Sequence, residues 1–189
     1  MGRAFEKLLP EHEEFIGLQH MFFVGSAPLT AEGHVNISPK GYDTFRILSN
    51  QEVAYLDLTG SGNETSAHVL ENGRMTIMFV AMEGKPVIMR LFGTGNVILP
   101  GTERWNELIG RFELLPGARQ MIVLNIHKVT TACGFSIPFY DYQGEREQLK
   151  DWAENIGDQK LAVYQNEKNS YSLDRLPTPL GIQRQTTES

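Results

Sequence analysis

The sequence has one cysteine, no long apolar run and fewer basic than acidic residues, and each scarcity excludes a class of protein. Cys133 alone cannot form an internal disulfide or a multi-cysteine metal site. No apolar segment reaches the roughly 18 residues of a membrane-spanning helix, and residues 1–9 lack the apolar core of a signal peptide. The net charge of −6 argues against a general affinity for nucleic acid or anionic membranes. We therefore expect a cytoplasmic protein that binds neither.

The remaining composition predicts a single folded domain. The chain has 189 residues, of which 41% are hydrophobic and 21% charged. That length suits one domain with a substantial core, and the proportions differ from those of disordered, collagen-like or coiled-coil chains.

Short strands dominate the first 130 residues. Apolar runs and alternation between turn signals predict seven strands, at 21–26, 34–38, 44–48, 52–59, 74–82, 86–99 and 119–130. Helical patterns cover 10–19, 63–71, 102–112, 149–157 and 158–168, and a polar tail at 183–189 is predicted to fray. Many short strands with few helices favour a mainly β fold, a small barrel with helical decoration. Gly93 and Gly95 indicate a bulge in a long strand.

The strand at 34–38 carries the most informative polar pattern. Alternation places His34, Asn36, Ser38 and Lys40 on one face, with Val35 and Ile37 on the other. The plain interpretation is a half-buried strand with a wet polar side. Pro39 withdraws an N–H from the ladder, however, so that the neighbouring backbone and the Lys40 cation could meet a ligand.

A small-residue loop opens the helix predicted at residue 63. Gly60-Ser61-Gly62-Asn63-Glu64-Thr65-Ser66 follows a strand, and the free N–H groups of a helix start suit a phosphate. The alternative is simple N-capping by Asn63, with Thr65 and Ser66 on the surface. The loop is neither a P-loop nor a dinucleotide fingerprint, since it lacks both Gly-Lys-Ser/Thr and a third glycine.

Arg90 is a charge inside an apolar strand and therefore needs a partner or solvent. Either it pairs with Asp57 or Glu64 or faces water, or it forms a fork for an anionic group. The five histidines show no metal-ligand spacing, so no metal site is predicted. Cys133 is interpreted as a small buried hydrophobe rather than a nucleophile.

Four segments, taken in order, resemble the pyridoxamine 5′-phosphate oxidase-like flavoprotein family. They are Asn36-Ile37-Ser38-Pro39-Lys40-Gly41, Ala54-Tyr55-Leu56-Asp57, the loop from Gly60 to Ser66, and Arg90-Leu91-Phe92-Gly93, within a resemblance that spans residues 15–130. The resemblance implies a six-stranded split β-barrel, a homodimer, and FMN or, in some branches, the deazaflavin F420 at the dimer interface. It places Ser38, Pro39 and Lys40 along the isoalloxazine and ribityl chain.

The cofactor-binding residues implied by the resemblance, together with the residue patterns, are Asn36, Ser38, Pro39, Lys40, Tyr55, Asp57, Asn63, Glu64, Thr65, Ser66 and Arg90. The turn at Asn63–Ser66 and Arg90 are expected to face the phosphate. The vitamin B6 oxidases of this family carry an Arg-Lys pair where this chain has Thr65-Ser66. The resemblance is therefore to a different branch.

The expected organisation is a split-barrel domain at 1–132 and a helical extension at 133–189 that packs on or is swapped around it. Three functions stay open: an FMN-dependent oxidoreductase for a small molecule, a flavin or F420 binding or storage module, and a structural dimer that has lost the cofactor. No side chain stands out as a catalytic acid or base, which suits chemistry carried by a flavin. Large aromatic residues, Phe22, Phe23, Phe79, Phe92 and Trp105, are candidates for a dimer interface.

Overall fold

Alternating apolar residues bring the predicted strands together in one antiparallel sheet. The computed structural model describes residues 2–187. Its strands are β1 (Arg3–Phe5), β2 (Phe22–Ser26), β3 (Asn36–Lys40), β4 (Phe45–Ser49), β5 (Glu52–Leu58), β6 (Arg74–Val80), β7 (Val87–Ile98) and β8 (Ala118–Cys133). All seven predicted strands are present. The eighth, β1, pairs with the C-terminal end of the long β8.

The sheet is open, with a free edge at each side. Its strands follow the order β3-β2-β6-β7-β8-β5-β4, and every pair is antiparallel. The sheet thus has eight strands, where the resemblance implies six in the barrel. Among the strands of residues 2–187, β3 is one edge of the sheet and pairs only with β2, so that one side of its backbone is free of strand pairing.

Two apolar clusters cover the two faces of the sheet near β5. One lies inside the curved sheet and contains the aromatic contacts of Phe22 with Phe45 and Tyr55, whose ring centroids lie 5.2 and 5.4 Å away. The other packs Trp105 and Leu108 against the opposite face. Because both faces are covered, the middle of β5 is buried without alternation.

A glycine bulge bends β7, as its sequence predicts. The register between β7 and β8 shifts between Phe92 and Gly93. A Cβ at Gly93 would lie 2.1 Å from the carbonyl oxygen of Asn125, so only glycine allows β8 to approach this closely.

Six helices decorate the sheet: α1 (Pro10–Gly17), α2 (Glu64–Asn72), α3 (Glu103–Ile109), α4 (Gln148–Ile156), α5 (Asp158–Asn169) and α6 (Pro179–Thr187). The first five are the predicted ones, which confirms the mainly β fold with helical decoration. None of the helices within residues 2–187 has the length and apolar character needed to cross a bilayer.

Helix α6 corrects the prediction of a frayed tail. The hydroxyl of Thr178 accepts a hydrogen bond from the Gly181 N–H (3.1 Å), which caps the start of the helix. Gly181 packs directly on Ser170, where a Cβ would meet backbone at 2.5 Å. The polar tail is therefore held by its first turn, and residues 188 and 189 of the predicted tail lie outside the described residues.

The single cysteine differs from its prediction as well. Cys133 is the last residue of β8 and is exposed, so the expectation of a buried hydrophobe was wrong. The burial of β8 is confined to its first half and to alternate positions beyond, because the strand runs past the apolar core towards its C-terminal end.

Candidate functional site

A cavity of about 550 Å³ lies between β3, the end of β5 and the start of α2. This volume is within the range of small-molecule sites, about 300–1,000 Å³. Its lining residues are Asn36, Ile37, Ser38, Pro39, Lys40, Asp57, Leu58, Gly60, Ser61, Gly62, Asn63, Glu64, Thr65, Arg119 and Leu173.

Strand β3 turns its polar face towards the covered side. Asn36, Ser38 and Lys40 are half-buried, whereas the side chains of Val35 and Ile37 are 72% and 69% exposed. The alternation was predicted correctly. The polar side was expected to face water and the apolar side to be buried, but in the single chain the apolar side is the more exposed one. The polar face is therefore available to the cavity.

The start of α2 offers backbone donors to the cavity. Asn63 occupies the N-cap position without capping the helix, because its side chain donates to the Asn169 carbonyl (3.1 Å) and accepts from Gln120 (2.8 Å). The N–H groups of Glu64, Thr65 and Ser66 precede the first intrahelical bond, from Ala67 to the Asn63 carbonyl. Capping by Asn63 is thus replaced by a helix start whose N–H groups are free to bind an anion.

Asp57 is a buried carboxylate at the floor of the cavity with three side-chain donors around it. Lys40 Nζ lies 2.6 Å from Oδ1, and Arg119 Nε and Gln120 Nε2 each lie 2.8 Å from Oδ2. Arg119 also donates from Nη1 to the Gly62 carbonyl (2.9 Å). The carboxylate therefore joins β3, β5, β8 and the loop that precedes α2.

These cations determine the protonation state of Asp57. Burial alone would raise the pKa of the carboxyl, but the charges of Arg119 and Lys40 and the hydrogen bonds outweigh it and hold the pKa well below its usual value. The ring of Tyr55 lies near the Lys40 ammonium group, with its centroid 5.7 Å from Nζ. Burial, followed by the charge of Asp57, raises the pKa of Tyr55 well above its usual value.

The C-terminal segment forms one wall of the site. Asn169, at the end of α5, donates to the Gly60 carbonyl (2.9 Å), and Gln165 donates to the hydroxyl of Thr59 (2.8 Å). Further along, the Leu173 N–H lies 2.9 and 3.1 Å from the two carboxylate oxygens of Glu64. The loop at residues 59–64 is therefore held from outside the barrel.

The structure brings together eight of the eleven predicted binding residues. The eight that line the cavity are Asn36, Ser38, Pro39, Lys40, Asp57, Asn63, Glu64 and Thr65. Two others are fully buried next to it: the Tyr55 ring lies in the core, and the Ser66 hydroxyl donates inward to Gln120 (3.1 Å). Neither side chain lines the cavity, because β5 is buried on both faces and Ser66 faces the sheet.

Arg90 lies outside the cavity. Its neighbours Met89 and Leu91 point into the core, so alternation turns Arg90 to the outer face of β7, opposite Met78 and Thr130. Its proposed partners are occupied elsewhere, Asp57 by Lys40 and Arg119 and Glu64 by Leu173. Among residues 2–187, Arg90 has no ion pair, so the expected contact with a phosphate is not formed within this chain's own cavity.

Arg119 is the cavity cation that the sequence analysis missed. It is buried at the start of β8, 62 residues from the carboxylate it contacts. The rule that singled out Arg90, a charge within an apolar strand, also applies to Arg119. Arg119 is the first residue of the strand predicted at 119–130, and nothing in the sequence indicates its contact with Asp57.

Comparison with known proteins agrees with this geometry. The family model described as pyridoxamine 5′-phosphate oxidase matches residues 8–133, two thirds of the chain. The chain belongs to the pyridoxamine 5′-phosphate oxidase family. One relative, the pyridoxamine 5′-phosphate oxidase family protein ustO of Aspergillus flavus, is 40% identical over 92% of this chain and 76% of its own length.

Solved structures share the fold of this family member at low sequence identity. A single-site variant of HupZ from Group A Streptococcus aligns with a TM-score of 0.51 and 20% identity, over 66% of this chain and 98% of its own. A Lactobacillus delbrueckii protein described as a pyridoxamine 5′-phosphate oxidase aligns with a TM-score of 0.51 and 17% identity, over 66% and 94%. The predicted split-barrel fold is confirmed.

The first prediction concerns the buried charge of Asp57. Asp57→Asn should lower the free energy of unfolding at pH 7 by about 3–5 kcal/mol, because it leaves the buried Arg119 and the half-buried Lys40 without their anion. The pKa of Asp57 is lower in the folded chain than the usual 3.8. Its stabilisation is therefore complete above about pH 5 and declines as the pH falls through 3.8 and below.

Urea unfolding at pH 7 and pH 3 measures both effects. The wild type should lose more stability on acidification than Asp57→Asn, whose residue 57 cannot titrate. Asp43→Asn is the control, since Asp43 forms an exposed ion pair with Arg46 and such pairs contribute about 0–1 kcal/mol. Equal stability of Asp57→Asn and wild type at pH 7 would contradict the assignment.

Proposed function

We propose that the cavity binds FMN and that the protein is an FMN-dependent oxidoreductase acting on a small molecule. The observation that carries the proposal is the free N-terminus of α2, which opens into a cavity with two cationic side chains, Lys40 and Arg119. Membership of the pyridoxamine 5′-phosphate oxidase family supports it.

The donor set at one end of the cavity fits a phosphate. Three backbone N–H groups of the first turn of α2 are without an intrahelical partner. The helix dipole favours an anion there, and the Arg119 guanidinium has five N–H groups, of which Nε and Nη1 are engaged with Asp57 and Gly62. Local attraction is needed, because the net charge of −6 works against a dianionic ligand at long range.

The strand β3 gives the remainder of the ligand an extended surface. Its five residues span about 13 Å at the usual rise, from Asn36 beside Thr65 to Lys40 beside Asp57. Pro39 leaves the backbone there without a donor. An elongated ligand with its phosphate at α2 would lie along Ser38, Pro39 and Lys40.

Asp57 in the cavity and Tyr55 beside it orient a ligand rather than transfer protons. At neutral pH Asp57 stays ionised between Arg119 and Lys40, and the buried Tyr55 stays protonated. Neither pKa is near the working range of a general acid or base. When bound, FMN itself supplies hydride or electron transfer, so the side chains need only hold it and shield it from water.

The same observation favours one second candidate. The same cavity also suits a protein that binds or stores a flavin, or F420, without turnover. The residues that would hold the ligand are identical in the two cases. Reaction with an electron donor therefore distinguishes them.

We also propose a homodimer in which β3 contributes to the interface. Ile37 in this edge strand and Val35 directly before it are exposed to solvent in the single chain, and Ile37 borders the cavity. Of the aromatic residues expected at an interface, Phe22, Phe79 and Trp105 are instead buried in the core, while Phe23 and Phe92 are half-exposed. The apolar side of β3 is thus the better-founded contact surface.

The test of the proposed function is turnover of bound flavin. The purified protein should show flavin absorbance, and the FMN-loaded protein should oxidise reduced nicotinamide faster than the same concentration of free FMN. A tightly bound flavin that stays oxidised with every donor would favour the storage function. Absence of flavin binding would leave only the structural dimer.

We expect the Arg119 guanidinium to bind the phosphate of FMN. Arg119→Gln should weaken FMN binding by about ten- to a hundredfold, since a charge-assisted contact contributes about 1.5–3 kcal/mol. Riboflavin lacks the phosphate, so its affinity falls only if the substitution disturbs the rest of the site. The ratio of the FMN affinity to the riboflavin affinity therefore measures the contribution of the phosphate contact. Arg90→Gln is the control and should leave that ratio unchanged. A fall in the ratio with Arg90→Gln alone would show that a second chain supplies the phosphate's cation.

The dimer should depend on the apolar side of β3. Light scattering should give about twice the 21.3 kDa chain mass for the wild type. Ile37→Lys should shift this towards the monomer and weaken FMN binding, because burying an unpaired charge is costly. Leu18→Lys alters an equally exposed residue at the end of α1 and should leave the mass unchanged. A wild-type monomer with bound flavin would contradict the shared interface.

A further inference from the structure

Residues 170–178 connect α5 to α6 and are here called the strap. Leu173 of the strap lies at one end of the cavity. It forms a tight turn in which the Arg175 N–H donates to the Ser172 carbonyl (3.0 Å) and the Ser172 N–H donates to the Leu176 carbonyl (2.9 Å). Arg175 has a φ of +63°, the left-handed conformation that follows the turn. The strap therefore has a defined shape.

Both ends of the strap are anchored to buried groups. The Thr178 hydroxyl donates to the Asn169 carbonyl (2.7 Å), and the Thr178 N–H donates to the Ser170 carbonyl (3.0 Å). The same Asn169 carbonyl accepts from Asn63, the residue before α2. Since Asn63, Asn169 and Thr178 are all buried, the base of the strap is fixed to the start of α2.

The tip of the strap spans from α2 to β3. Both oxygens of Glu64, the first residue of α2, accept the Leu173 N–H. The next residue, Asp174, accepts the backbone N–H of His34 (2.8 Å) and lies 2.7 Å from its Nδ1. The hydrogen bond from the His34 backbone, followed by the one from its side chain, lowers the pKa of Asp174 and keeps its carboxyl ionised. Leu173 thereby lines the cavity and two carboxylates flank it.

We infer that the strap makes this site specific for a flavin that ends at its phosphate and excludes flavins extended beyond it. The inference rests on the proposed function, which places the phosphate of FMN at the start of α2. A group attached beyond that phosphate, such as the adenylate of FAD or the tail of F420, would have to displace Leu173. It would also bring further negative charge towards Glu64 and Asp174.

The opposite end of the cavity does not impose this limit on the ring. The backbone of Lys40 lies at that end, about 13 Å along β3 from Asn36, while the Lys40 ammonium group contacts Asp57, which Gln120 links to Asn63 at the start of α2. At its tip, the strap forms hydrogen bonds with Glu64 and His34, at the α2 end of the cavity. The discrimination therefore concerns the phosphate end and leaves recognition of the flavin ring untouched.

The experiment compares FMN with FAD on the full-length chain freed of flavin. Calorimetric titration of the wild type should give at least about tenfold tighter binding of FMN than of FAD. Leu173→Gly removes the blocking side chain and should bring the FAD affinity to within a few-fold of the FMN affinity. Asp174→Asn keeps Leu173 but weakens the contact with His34. It should reduce the preference for FMN over FAD, but by less than Leu173→Gly does.

Leu114→Gly is the matched control, because Leu114 is similarly exposed (62%, against 69% for Leu173) and lies outside the cavity lining. It should leave the FMN-to-FAD ratio at the wild-type value. Equal binding of FMN and FAD by the wild type would overturn the inference, and so would an unchanged ratio in Leu173→Gly. In those two outcomes FMN still binds, so the proposal that FMN is the cofactor would stand. If neither FMN nor FAD binds, the proposed cofactor and the inference about the strap are both refuted.

Discussion

The ionised carboxylate of Asp57 is the constraint on which the architecture of the site depends. A buried anion is tolerated only with cations and donors around it, and here these come from β3 through Lys40 and from β8 through Arg119 and Gln120. Those two strands lie at different places in the sheet and far apart in the sequence. Satisfying one carboxylate therefore fixes the position of the edge strand relative to the barrel.

The network continues from Asp57 to the C-terminal helices. Gln120 also donates to Asn63, which donates to the carbonyl of Asn169 on α5. Consequently the loop before α2 is not free to cap its own helix, and the helix start is left open to a ligand. The same bond between Asn63 and Asn169 thus leaves the helix uncapped and attaches α5 to the edge of the cavity. Stability and ligand binding are thus coupled through the same polar side chains.

Local patterns were sufficient to find the parts of the site that lie within short segments. The polar face of β3, the loop at 60–66 and Asp57 each follow from alternation, glycine content or the order of motifs. Arg119, Asn169 and Leu173 could not be found this way, because their roles depend on contacts across 62, 106 and 109 residues. Arg90 was singled out as a charge within an apolar strand, but the alternation of side chains along β7 turns it to the outer face, away from the cavity. The side chain of Tyr55 packs against Phe22 in the inner apolar cluster and does not line the cavity, a contact between separate strands that the order of motifs does not indicate.

The most direct test of the account is a crystal structure of the protein with FMN. The account predicts the phosphate within hydrogen-bond distance of the N–H groups at the start of α2 and of the Arg119 guanidinium, with the ring along Ser38–Lys40. Asp57 should still contact Lys40 and Arg119, since its role is to hold those cations in place. A phosphate bound away from α2, or a flavin bound outside the cavity, would contradict it.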